Sequence, residues 1–78
     1  MMSKLNDVLA QTLKIPAEKI TNDTAPDMVE AWDSLGHLHL ISVLEEEYGV
    51  EFSMDQVESM QNVGKIREVL ANCGAKDL

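Results

Sequence analysis

The chain is short of cysteine, of aromatic residues and of basic charge. Cys73 is its single cysteine, so no disulfide can close within the chain and no cysteine cluster can hold a metal. A lone cysteine fits a reducing compartment. Trp32, Tyr48 and Phe52 are the only aromatics, so a core must be built mainly from aliphatic side chains. Six Lys and Arg stand against 14 Asp and Glu, a formal net charge of -8. Phosphate backbones and anionic membranes are recognised by clusters of Lys and Arg, so nucleic acid is excluded as a partner. No apolar run approaches the roughly 20 residues of a membrane-spanning helix, so membrane insertion is not expected. The start, "MMSKLNDVLAQ", lacks the basic and apolar regions of a signal peptide. The expected location is the cytoplasm, and the expected partners carry basic patches.

What is present points to a fold. The chain has 78 residues, enough for one small domain spanning 1–78, expected as a monomer. Its apolar share of 45% is well above that of a disordered acidic tail. Leu5, Val8, Leu9 and Leu13 recur at helical spacing, with Ser3 as a candidate cap and Pro16 as the stop. A long connection follows, "IPAEKITNDTAPDMVEAWD", rich in turn formers. Connections of that length usually pack on themselves, and Ile15, Ile20, Met28 and Trp32 are the candidates. A second helix is predicted over Ser34 to Tyr48, capped by Asp33 and stopped by Gly49. A short helix over Met54 to Met60 starts at Ser53 or Asp55. Asn62 caps a last helix whose stripe is Val63, Ile66, Val69, Leu70 and Cys73, with Gly74 at its end. The predicted class is all-α, a small four-helix bundle of three longer helices and one short one with a long first loop.

The second helix, within "EAWDSLGHLHLISVLEEEYG", carries the chemistry. At about 100° per residue, Leu40, Ile41, Leu44 and Tyr48 form a core face. Leu35, Leu38, His39, Ser42, Glu45 and Glu46 fall on another face, beside Ser34. That face has apolar contacts flanked by carboxylates, the composition of a docking surface. The alternative is that Leu35 and Leu38 tuck into the bundle. Glu45 to Glu47 sit at the end of the helix where the dipole favours cations, a small local cost that points either to a use elsewhere or to an ordinary solvated charge run. Ser34 sits in the first turn, where backbone N–H groups are unpaired and a phosphate would lie in a favourable field. Its ordinary reading is helix-start chemistry.

Ser34 and His37 stand three apart, which raises a hydrolase. A 78-residue bundle offers little room for a cleft and an oxyanion hole, and Asp33 is better used as a cap. His37 and His39 lack the i, i+4 spacing of two metal ligands, so no metal is expected. An unmodified acidic adaptor, docking through this helix with Ser34 as a mere cap, is the main rival to a modified serine.

"DSLGHLHLISVLEEEYGVEFS" resembles the central segment of acyl carrier proteins: Asp-Ser-Leu, an apolar helix, consecutive acids, an aromatic and a short turn. "KIPAEKITNDT" is similar to the start of that family's first loop, and "VGKIREVL" to its last helix. The resemblance implies a four-helix carrier that catalyses nothing itself. It implies 4'-phosphopantetheine, taken from coenzyme A and attached to Ser34 by a phosphopantetheinyl transferase, with an acyl thioester at its far end. Asp33 and Leu35 would help that transferase recognise the site. Glu45 and Glu46 would meet basic patches on acyl-transferring, ligase or synthase enzymes. Leu38 and Met60 would be apolar contacts near the arm, and the core stripe would part to shelter an acyl chain. Gly36, His37 and His39 stand where housekeeping fatty-acid carriers usually have more acid, and "WDSLGH" is more similar to stand-alone carriers of specialised acyl or polyketide-type pathways. Peptidyl carriers share the fold but typically approach the serine through glycines, which "EAWDS" lacks. Gly36 weakens a helix interior by up to about 1 kcal/mol relative to Ala. His39 adds positive charge to the partner face when protonated. Lowering the pH from about 7.5 to about 6 should therefore weaken partner binding more in the natural chain than in His39→Gln. Equal weakening in both would remove His39 from the account.

Overall fold

The computed structural model describes residues 4–76 and 78. Ser3, the candidate first cap, lies outside them. Four α-helices follow in order: α1 (Lys4–Leu13), α2 (Ser34–Tyr48), α3 (Met54–Ser59) and α4 (Val63–Asn72). Among the described residues there is no strand, and no helix is long and apolar enough to cross a membrane.

The expected stripes meet in one core. Leu5, Leu9 and Leu13 of α1 face Leu40, Ile41 and Leu44 of α2, and Val63, Ile66, Val69 and Leu70 of α4 complete it. Burying each of these side chains is worth about 1.5–3 kcal/mol against leaving it in water. Val8, Tyr48 and Cys73 lie half-buried at its margin. The first helix ends at Leu13, close to Pro16 as expected. Lys14 turns left-handed at φ 61°, and the Ile15 N–H reaches back to the Ala10 carbonyl at 3.2 Å.

The long first loop is pinned. Two 3-10 turns, Ala17–Lys19 and Pro26–Met28, shape it. Ile20, Val29 and Trp32 drop into the core, and Thr24 is buried beside Thr21. Met28 departs from expectation: it is 65% exposed, and Val29 takes the core position. Loop carbonyls also serve α4. The Val63 N–H donates to Thr24 and the Gly64 N–H to Asn22, both at 2.9 Å, while the Asn62 side chain accepts from Lys65. Three first-turn donors of α4 are thereby satisfied. Arg67 tightens the same region, donating to Asn22, Asn6 and the Leu78 carbonyl.

The α3 start is a capping box. The Ser53 hydroxyl accepts from the Gln56 N–H, and the Gln56 side chain accepts from the Ser53 N–H. This settles the choice between Ser53 and Asp55.

Candidate functional site

The α2 start is built by Asp33. It is extended (φ -94°, ψ -167°), and its carboxylate accepts from the Gly36 N–H at 2.8 Å. Its carbonyl accepts from the His37 N–H at 2.7 Å. Because Asp33 does the capping, the Ser34 hydroxyl is released from that work and is exposed at the first helical position. The Ser34 and Leu35 N–H groups beside it lack intrahelical acceptors, as at any helix start.

An open groove of about 550 Å³ runs from Ser34, walled by Pro26, Trp32, Asp33, His37 and Leu38. A second depression, about 410 Å³, lies on the other side of Pro26 and His37, which line both, and is lined also by Val57, Glu58, Met60 and Gln61. Leu35 is 78% exposed and Leu38 is 59% exposed, so neither tucks into the bundle. His39 and Ser42 are also exposed. The two leucines and Ser34 therefore share an open face with acidic residues around it.

The three glutamates divide. Glu45 accepts from the Phe52 N–H at 2.9 Å and so ties down the connection to α3. Glu47 pairs with Lys4 at 3.8 Å. Glu46 is exposed and has no such tie among the described residues. Two of the three acids thus have local work that the dipole argument did not anticipate. Met60, expected as an apolar contact near the arm, is 1% exposed and belongs to the core, and it also lines the second depression. The connection from α3 to α4 turns its side chain inward.

His37 has no freedom to act on Ser34. Its Nδ1 receives a hydrogen bond from the Trp32 indole N–H at 2.9 Å, and its Nε2 lies 2.9 Å from the Val57 carbonyl. An indole nitrogen only donates, so Nδ1 must accept, and the ring proton must be on Nε2. Both nitrogens are spent, and the hydrolase arrangement has no base. Nothing in the spacing of Trp32, His37 and Val57 announced this chain of bonds, because it joins a loop, α2 and α3.

The sequence model of one family, the phosphopantetheine attachment site, matches residues 3–70. The chain belongs to the acyl carrier protein family. An acyl carrier protein of Saccharopolyspora erythraea is 33% identical over 76 residues, covering 97% of this chain and 80% of that protein. Among solved structures, the holo acyl carrier protein of Geobacter metallireducens superposes with a TM-score of 0.79 at 28% identity, covering 88% of this chain and 79% of that one. The all-helical fold and the covalent 4'-phosphopantetheine cofactor follow from these matches. The site fits that group. It offers an exposed hydroxyl, helix-start N–H groups for a phosphodiester and an apolar groove leading away. When bound, the arm supplies a terminal thiol that carries acyl groups as thioesters. Acyl carrier proteins are carriers rather than catalysts.

Proposed function

We propose that residues 1–78 form one carrier domain, that Ser34 is the attachment residue, and that the protein delivers acyl intermediates of fatty-acid, polyketide or other specialised acyl synthesis in the cytoplasm. The observation that carries this reading is the exposure of Ser34 beside a groove, with Asp33 and not Ser34 serving as the helix cap. In loading, the Ser34 Oγ would form a bond to the phosphorus of coenzyme A that bears the pantetheine. The pyrophosphate link breaks, adenosine 3',5'-bisphosphate leaves, and the serine proton passes to the transferase. Asp33 holds the helix start in place for this step, and Leu35 offers an apolar contact to the transferase. The first-turn N–H groups favour the phosphodiester that results.

The test is intact-protein mass after incubation with coenzyme A and a broad-specificity phosphopantetheinyl transferase. A gain of one phosphopantetheine supports the reading. A folded chain that gains nothing returns the acidic adaptor to first place.

Delivery rests on the α2 face. Leu35 and Leu38 supply apolar area, His39 lies among them, and Glu46 is the acid most free to meet a basic partner. Glu46→Lys is therefore expected to slow transfer to a partner enzyme about tenfold, with the loss shrinking as salt is raised. Glu45→Gln is expected to act differently, through the Phe52 bond and the fold. Equal rates for Glu46→Lys and the natural chain at low salt would remove Glu46 from the interface.

A further inference from the structure

The bond chain Trp32–His37–Val57 joins three separate parts of the molecule. Trp32 belongs to the long loop, His37 to α2, and Val57 to α3. Trp32 is 1% exposed, so its indole N–H needs a partner inside the protein, and His37 is that partner. The two rings lie 17° from parallel with centroids 6.2 Å apart, so they meet edge to edge along the hydrogen bond rather than face to face.

At the other nitrogen, His37 donates to a carbonyl near the end of α3. Carbonyls there have no intrahelical donor beyond the turn that closes the helix. With six residues, α3 is too short to be stable by itself and depends on such tertiary ties. None of its own residues is fully buried; Met60, which follows it, is. Besides His37, α3 is fastened to the body by the Gln56 side chain, which donates to Cys73 Sγ at 3.9 Å, and by half-buried Val57, and His37 is placed at the border of the two depressions that flank it.

We propose that His37 is the latch of α3. As a neutral imidazole with its proton on Nε2, it holds the end of α3 to α2 and closes the Ser34 groove off from the depression in front of Met60. The latch belongs to the unmodified chain and stands whether or not Ser34 carries an arm. Its consequence for cargo rests on the carrier reading: with the latch closed, a tethered group stays in the Ser34 groove, and with it open the two depressions join.

The neutral ring is essential. A doubly protonated ring has no lone pair for Trp32 and breaks that bond. The charged groups that line the two depressions with His37 are Asp33 and Glu58; no Lys or Arg lines either. His37 is a positioning residue in this account and touches no reacting atom.

The test uses the unmodified full-length chain and amide hydrogen exchange read residue by residue. In His37→Phe, which keeps a ring but removes both bonds, α3 amides should exchange about tenfold faster while α4 amides stay within about twofold. Loss of protection throughout the chain would show only a core-packing role and overturn the latch. Unchanged α3 exchange would overturn it as well. A long-range proton–nitrogen spectrum of the natural chain tests the same proposal without any substitution. It should show His37 with its proton on Nε2, and a proton on Nδ1 would overturn the proposal. Neither measurement involves loading, so their failure is separate from failure to gain a phosphopantetheine.

Discussion

Ser34→Ala is expected to abolish loading completely and to leave the fold as stable as the natural chain. The two halves of that result have separate causes. The serine hydroxyl is the proposed bond-forming atom, and alanine has nothing to replace it, so intact mass should not rise at any transferase concentration. Stability should survive because the cap of α2 is Asp33, whose carboxylate holds the Gly36 N–H. An exposed first-turn residue contributes little beyond propensity, and alanine is the best helix former. The melting temperature should therefore stay within about 3 °C of the natural value. The contrast is Asp33→Ala, which loses the cap and about 1 kcal/mol with it. An unmodified adaptor would keep its function in Ser34→Ala. A Ser34→Ala chain that still gained one phosphopantetheine would move the attachment to another residue and leave the family assignment untouched.

Gly36→Ala is expected to lower stability by about 2 kcal/mol. Helix propensity alone argues the opposite, since Ala in a helix interior is better than Gly by about 1 kcal/mol. Packing reverses the sign. A Cβ on Gly36 would stand 2.0 Å from the Ala31 carbonyl oxygen and 3.1 Å from its carbon. Both are backbone atoms, so no side chain can swing away. Either the loop or the start of α2 must move by more than an ångström. Ala31 precedes Trp32, so the movement reaches the Trp32–His37 bond and the wall of the Ser34 groove. Urea unfolding measures the stability directly, and loading rate measures the damage to the helix start. If Gly36→Ala were as stable as the natural chain or more so, the close approach of loop and helix would be refuted.

These two residues show where local reading works and where it stops. The bounds of α2 were legible from Asp33 and Gly49, because a cap and a left-handed stop act within a few residues of chain. Gly49 is left-handed at φ 64° as its place demands. The same holds for the Asn62 cap of α4 and the leucine stripe of α1. Gly36 was legible only as a weakness in a helix. What it accommodates, the Ala31 carbonyl, is five residues away along a loop whose path depends on Ile20, Val29 and Trp32 finding the core. Met28 and Val29 are adjacent and both apolar, and the Pro26–Met28 turn decided which of them faces inward.

By itself the sequence determined the helices, the caps of α2 and α4, the apolar faces that must meet, and an Asp-Ser-Leu start with the acidic character that matches a carrier. All of these depend on spacing along one element, and spacing is what a sequence records. The tertiary structure decided which members of each pattern are available. It left Leu35 and Leu38 in solvent, drew Met60 inside, set Glu45 to hold Phe52 and Glu47 to meet Lys4, and committed both nitrogens of His37 to Trp32 and Val57. Those assignments follow from contacts between different elements of the fold. They exist only once the loop, α2 and α3 are packed together, which no local pattern encodes.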